Sequence, residues 1–318
     1  MGYDHDTSFC SKAVESVFSL PLCIAIATLL WLGDTLPHLQ PFNVDTLLSA
    51  VGSYIVMLLT VFVLSEADNT LGLLRIRTSM LPCVWLMLTA VQPDLHQLAA
   101  PQICSLCVAL GLSLLLRCHQ CVEPVGWVFH SFLCLGVGSV VFPPLLCVGL
   151  LFYLWLHTFM QALTLRTAAA GLVGLAFPYV VWAGICLHGE DFSPLLHHFS
   201  DFWPPVSWAS LPDITLAHGI LWGITLPLTV VGIVFYTLQS YADKIRVRMM
   251  HFACIAQTVI LLLTALMHPL CNEFFAILLV TASLHIAYFF AFARGRITNV
   301  LLLLSLLLLA LVALLQVV

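Results

Sequence analysis

Residues 294–296 read Arg-Gly-Arg, and residues 297–316 continue as ITNVLLLLSLLLLALVALLQ, two cations followed by twenty residues without a charge. A hydrocarbon core about 30 Å thick is crossed by roughly 20 mostly apolar residues in helical form. Lysine and arginine collect at the cytoplasmic ends of such helices. This one stretch therefore sets the secondary structure, the solvent and the direction of the chain. The rest of the sequence is read outward from it.

The composition agrees with a bilayer. Of 318 residues, 62% are hydrophobic and 8% are charged, against roughly 25% charged in a soluble domain. That leaves too little polar surface to coat a body of this size in water. A membrane barrel would alternate polarity in stretches of about ten residues, whereas this chain runs in long unbroken apolar blocks. The backbone in lipid must satisfy its own hydrogen bonds, and a helix does so within one segment. The fold class expected is all-α, a polytopic transmembrane helical bundle forming one integral membrane domain over residues 1–318. The formal charge of −5 and the lack of a basic stripe exclude nucleic acid as a partner. No small-residue cleavage site follows the first apolar run, which is read as a retained helix.

Eleven spans are predicted, over residues 16–33, 46–65, 78–91, 97–116, 124–142, 143–163, 167–187, 214–238, 249–268, 273–292 and 297–316. Phe142-Pro143-Pro144 separates the fifth from the sixth, because a prolyl ring has no N–H to continue a helix. With the amino terminus inside and the carboxy terminus outside, Lys12, Arg75, Arg77, Arg117, Arg166, Lys244, Arg246, Arg248, Arg294 and Arg296, which are every lysine and arginine, fall on the cytoplasmic side. The opposite side collects Asp34, Asp45, Asp94, Glu190, Asp191, Asp201, Asp213 and Glu273, together with His38, His96, His188, His197, His198 and His268.

The longest outer loop, 188–213, reads HGEDFSPLLHHFSDFWPPVSWASLPD. Its aromatic rings predict a short helix or hairpin in the membrane interface. His188, Glu190, Asp191, His197 and Asp201 in this loop are of the ligand types that hold a divalent metal, although their spacing matches no established zinc signature. A water-exposed polar loop is the plainer alternative. Asp34, at the outer end of the first span, has the chemistry of a general base, with an ordinary helix-end charge as the alternative. His130, His157 and His285 fall within spans and His218 near a span's outer end, positions that face a bundle interior and mark either a site or a hydrogen bond between helices. The cysteines of Cys104-Ser-Leu-Cys107 and Cys118-His-Gln-Cys121 are read as small buried residues. Cys186 and Cys271 stand near the outer surface, where a disulfide would require an oxidising compartment.

Two resemblances extend this reading. The stretches Arg75-Ile-Arg-Thr-Ser-Met-Leu-Pro82, Gly136-Val-Gly-Ser-Val-Val-Phe-Pro143 and Leu165-Arg-Thr-Ala-Ala-Ala-Gly-Leu-Val-Gly-Leu-Ala-Phe-Pro178 resemble an uncharacterised family of multi-pass inner-membrane proteins from Bacteroidota. That likeness implies a multi-pass protein of the cell inner membrane. A carboxylate soon after the first span, the 143–163 span, Arg166, Gly174 and Pro178 resemble the glycosyltransferase C superfamily. That likeness implies Asp34 as catalytic carboxylate, Asp45 or Asp94 as auxiliaries, and a polyprenyl-phosphate-linked donor. No Lys or Arg is expected on that side, so a lipid phosphate there would be matched either by a metal held by carboxylates and histidines or by helix N-termini.

The function expected is therefore a membrane component of cell-envelope glycan or lipid assembly, with membrane lipids as partners. Two alternatives stand beside it. One is a non-enzymatic scaffold or subunit that joins a membrane-protein partner. The other is a small-solute transporter, for which Pro227 would mark a broken helix.

Overall fold

A chain that must pair its own amides in hydrocarbon has helices wherever it is apolar, and the computed structural model shows this over residues 9–38, 44–189, 191–200, 202, 215–268 and 271–317. Among the described residues there are α-helices and short 3-10 turns but no strand. The α-helices are α1 (Phe9–Glu15), α2 (Ser19–His38), α3 (Val44–Leu71), α4 (Met80–Ala90), α5 (Ala100–Leu116), α6 (Val125–Val141), α7 (Leu145–Thr158), α8 (Leu165–His188), α9 (Ser193–Ser200), α10 (Leu216–Gln239), α11 (Ile245–Met267), α12 (Asn272–Phe292) and α13 (Arg296–Val317). Six of them, α3, α8, α10, α11, α12 and α13, are long and apolar enough to cross a membrane, and α1 with α2 would make a seventh span bent by 95°. The chain is thus an all-helical, multi-pass membrane protein. α4, α5, α6 and α7 are shorter apolar helices of 11, 17, 17 and 14 residues.

Several local features differ from the sequence expectation, each for a physical reason. The first span was read as starting at residue 16 in one straight run. The chain instead turns there: Ser19 Oγ donates to the Ala13 carbonyl at 2.5 Å, which ties the two arms of the bend together. The second was expected to end near residue 65, before Glu66 and Asp68. α3 instead continues to Leu71, and the Asp68 carboxylate accepts the Leu74 N–H at 2.8 Å, so the acidic residue ends the helix as a local acceptor. Pro227 does not break its helix, since α10 runs through it from Leu216 to Gln239. The Pro143-Pro144 reversal sits between α6 and α7, and Leu145 N–H bonds back to the Phe142 carbonyl at 3.1 Å.

The helices form two compact units, each discontinuous in sequence. Unit 1 comprises Met1–Leu98, Pro212–Asp243 and Thr281–Val318; unit 2 comprises Ala99–Leu211 and Lys244–Val280. The boundary at Val280–Thr281 falls inside α12, which is buried from Phe274 to Ala291.

Unit 2 is built on a close seam between α6 and α8. A Cβ placed on Gly174 would stand 2.4 Å from the Phe129 carbonyl oxygen. Only a glycine lets the two backbones approach so closely, as small residues do generally where helices meet in lipid. Thr164 caps α8 by accepting the Thr167 N–H, and Thr167 returns a bond to the Thr164 N–H. At one end of this unit Arg166 pairs with Glu123 at 2.8 Å and Gln120 N–H bonds the Met160 carbonyl at 2.9 Å, joining the α5–α6 and α7–α8 loops. Deep in the unit, Trp155 Nε1–H donates to Gln257 Oε1 at 2.9 Å.

Unit 1 is closed at one end by Arg75, from the α3–α4 loop. Its guanidinium pairs with Asp243, donates to the Gln239 carbonyl at 3.1 Å and to the Tyr288 hydroxyl at 2.7 Å, and lies 5.4 Å from the Phe292 ring centroid. Burial opposes the charge on Arg75. The Asp243 carboxylate and the neighbouring tyrosines outweigh burial, and the Arg75 pKa stands above its ordinary value. α13 is peripheral: Leu303, Leu304, Leu307, Leu311 and Leu314 are exposed, while Leu302, Leu309 and Val312 are buried.

Candidate functional site at the other end of unit 1

Asp34 lies near the end of α2, on the stripe that also carries Leu22, Ile26 and Leu30, since residues four apart share a helix face. Its Oδ2 is 3.0 Å from Nδ1 of His96. His96 follows a 3-10 turn, Pro93–Leu95, whose first position suits proline because an N–H there has no partner in any case. Two bonds from α3 hold this segment in place. Ser53 Oγ donates to the Leu95 carbonyl at 3.1 Å, and Leu98 N–H donates to Ser49 Oγ at 3.1 Å. The His96 side chain is 4% exposed and that of Asp34 29%.

The second ring nitrogen of His96 carries the argument further. Nε2 lies 3.2 Å from the Ala90 carbonyl oxygen, which can only accept. A neutral imidazole has one N–H, yet here both nitrogens face acceptors. His96 has no nitrogen left over to act on a substrate. It is a positioning residue, and Asp34, with the more exposed side chain, is the group that can reach a ligand.

A second carboxylate–imidazole pair uses the same segment. Asp94 Oδ2 is 3.3 Å from Nε2 of His218, in the first turn of α10, and His218 Nδ1 is 2.7 Å from the Thr215 hydroxyl. Here an N–H at Nε2 and an acceptor at Nδ1 suffice, because Thr215 can donate. Asp94 is 46% exposed at its side chain. Asp34 and Asp94 are thus attached to one short segment through His96 and the chain itself. Asp45 sits exposed in the first turn of α3, a position where the helix dipole favours a carboxylate, and the Asp34–His96 pair forms without it. No lysine or arginine occurs in stretches 13–74, 78–116 or 167–243, which contain all four paired residues.

Beneath Asp34 the same stripe of α2 lines an open trough. Ile26 and Leu30 of α2, Met87 of α4, Val91 just beyond it, and Leu306, Leu309 and Leu314 of α13 are among the residues enclosing a volume of about 680 Å³. A further 210 Å³ continues past Ile26 and Met87 toward Ser19, Cys23 and Met80. Leu30 is one helical turn from Asp34, and Val91 adjoins Ala90, whose carbonyl binds His96. The polar pair is thus one helical turn along α2 from the lining of the trough.

Of the metal ligands expected in the 188–213 loop, His188, Asp191 and His197 are among the described residues. His188 ends α8 and is exposed. Asp191 accepts the Ser193 hydroxyl at 2.6 Å and the Ser193 N–H at 2.9 Å, and these bonds hold its pKa below the usual carboxylate range. His197 is exposed on α9. Glu190 and Asp201, like Asp213, Trp203 and Trp208, lie outside the described residues. Among the described residues no three His, Cys, Asp or Glu side chains converge as metal ligands would.

His198, the neighbour of His197, turns into unit 2. Its Nε2 is 3.1 Å from the Ser139 carbonyl, and Tyr179, Trp182 and Phe199 surround the ring. Desolvation lowers the His198 pKa more than the Ser139 bond raises it. His130 is exposed with Nδ1 2.7 Å from the Gly126 carbonyl, His157 is exposed, and His285 is fully buried. Cys186 and Cys271 are free thiols.

Sequence reasoning placed His96 on the outer side but missed it as the partner of Asp34. The available signal was the Asp-Leu-His triplet in a segment just after Pro93. No family profile, no curated protein and no solved structure matches the chain.

Proposed function

We propose that this chain is an eleven-span protein of the inner membrane, amino terminus in the cytoplasm, that assembles a lipid or glycan of the cell envelope, with Asp34 as its general base. The observation that carries this reading is the Asp34–His96 pair, one helical turn along α2 from the lining of an apolar trough. A carboxylate oriented by a buried imidazole is suited to accept a proton from a hydroxyl as that hydroxyl attacks. With a polyprenyl-linked sugar as donor, the hydroxyl oxygen bonds to the anomeric carbon, the bond from that carbon to the phosphate oxygen breaks, and the hydroxyl proton passes to Asp34. Asp94, held by His218, is the auxiliary carboxylate at the same end.

The test is Asp34→Asn in cells that depend on the chain. The amide keeps the size of the carboxylate and loses its basicity. The variant should reach the membrane at the parent's level and lose the lipid or glycan product, as read by mass spectrometry of the lipid extract. His96→Gln should lower product formation less than Asp34→Asn. An unchanged product profile in Asp34→Asn overturns the assignment and favours a scaffold.

A further inference from the structure

The thiols of Cys23 on α2 and Cys83 on α4 are joined by a hydrogen bond. Both line the 210 Å³ cavity of unit 1, and Met80 and Met87 line the same cavity. We propose that these two thiols and two thioethers form a binding site for monovalent copper. The site uses none of the residues of the Asp34–His96 pair and is independent of the function proposed above.

Three observations point to it. The first is how the sulfurs are gathered. Met80, Cys83 and Met87 follow at intervals of three and four residues, so they share one face of α4, and that face lines the cavity. Cys23 comes from a different helix, and its hydrogen bond to Cys83 brings the two sulfurs within reach of one small ion. Both are free thiols. Cys83 and Met80 are buried, while Cys23 and Met87 are half-buried.

The second is the lack of competing donors. Among the described residues lining this cavity, the polar side chains other than the cysteines are Ser19 and Ser305. Each hydroxyl already donates to a carbonyl, Ser19 to Ala13 at 2.5 Å and Ser305 to Leu302 at 2.8 Å.

The third is the selectivity of the donor set. Calcium and magnesium require several oxygen ligands. Structural zinc takes four ligands from cysteine, histidine and carboxylate, and an iron–sulfur cluster takes four cysteines. Only two such residues are present on this wall. Thiolate together with thioether is the combination that suits soft monovalent copper. The charge also fits. A thiol must lose its proton to bind a metal. Replacing the one proton of the thiol–thiol hydrogen bond by a monovalent ion leaves the net charge of the apolar cavity unchanged, which avoids the cost of burying a new charge.

The experiment uses the full chain in detergent, without oxygen and with ascorbate present. Monovalent copper is titrated against the chelator bicinchoninate. One ion per chain should bind, and X-ray absorption at the copper edge should show sulfur neighbours. Cys23→Ser and Cys83→Ser should each weaken binding about a hundredfold, a loss of about 2.7 kcal/mol. Met80→Leu with Met87→Leu keeps the packing volume and should weaken binding about tenfold, a loss of about 1.4 kcal/mol. Copper should raise the unfolding midpoint of the parent, as a ligand of the folded state does, and leave that of the cysteine variants unmoved.

Cys118→Ser with Cys121→Ser, which removes the other closely spaced pair just after α5, should bind copper as the parent does. Equal affinity in the parent and in both single-cysteine variants overturns the inference and leaves the pair as packing. Loss of binding in the Cys118–Cys121 variant also overturns it and moves the ion to that pair. Nitrogen or oxygen neighbours at the copper edge, or tighter binding of zinc than of copper, overturn the assignment of the ion. Full affinity in the double methionine variant overturns the part given to the thioethers.

Discussion

The α6–α8 seam of unit 2 and the α2–α4–α13 trough of unit 1 are both places where apolar helices face one another, yet they are resolved in opposite ways. In the seam Gly174 lets the backbones meet, and nothing larger than a hydrogen fits. In the trough Ile26, Met87 and Leu306 face a volume that the protein leaves unfilled. Lipid tails are as apolar as leucine, so helices in a bilayer gain little by mere contact and associate through close packing and hydrogen bonds. The seam takes that route to rigidity. The trough gives up packing one helical turn from a carboxylate–imidazole pair. The contrast separates a closely packed face from an unfilled one.

The largest effect on stability is expected from breaking the seam. Gly174→Leu drives a side chain into the Phe129 carbonyl and should cost about 3 kcal/mol or more, read as a fall in the midpoint of unfolding in detergent. A trough-filling Met87→Trp should shift that midpoint far less. A comparable loss in both variants would mean that the trough is as tightly packed as the seam.

The next effect concerns how unit 1 holds together with a trough in it. Arg75 closes its opposite end through Asp243, whose side chain is 2% exposed. Arg75→Met leaves that carboxylate buried without its cation and should cost about 3 kcal/mol, whereas Arg75→Lys should recover only part of it because a point charge cannot reproduce the guanidinium fork. Full recovery by lysine would show that charge alone closes this end.

The smallest effect sharpens the seam itself. α9 rests on it through His198, and desolvation depresses the His198 pKa below that of the unfolded chain. The unfolded state then binds more protons, so docking stability rises with pH. The contribution is complete above the ordinary histidine value of about 6.5 and is lost as pH falls below it toward the depressed folded value. Protection of the α9 amides from hydrogen exchange, taken relative to the intrinsic rate at each pH, should fall on acidification, and His198→Gln should remove that dependence. Protection in α9 that ignores pH in the parent would place its attachment on Tyr179 and Phe199 alone.

The candidate site was half legible. Asp34 and Asp94 stood out because they are carboxylates near predicted helix ends in stretches of sequence without cations, a local property of the chain. The bond from Asp34 to His96 spans 62 residues and leaves no trace in hydropathy. The histidines at 188 and 197 stood out for the same compositional reason as Asp34, and both are exposed. His198 looked equivalent to His197, and only the direction of the helix face sends it to Ser139.

The amino-acid sequence by itself determined that the chain is helical and enters a membrane several times, because the length of an apolar run and the position of its flanking cations are read one segment at a time. The folded structure alone decided the 95° bend before α2, the continuation of α3 past its acidic residues, the backbone contact at Gly174, the trough and the pairing of Asp34 with His96. These depend on which helix faces meet, and in a bilayer every face is apolar, so hydropathy carries no record of the choice.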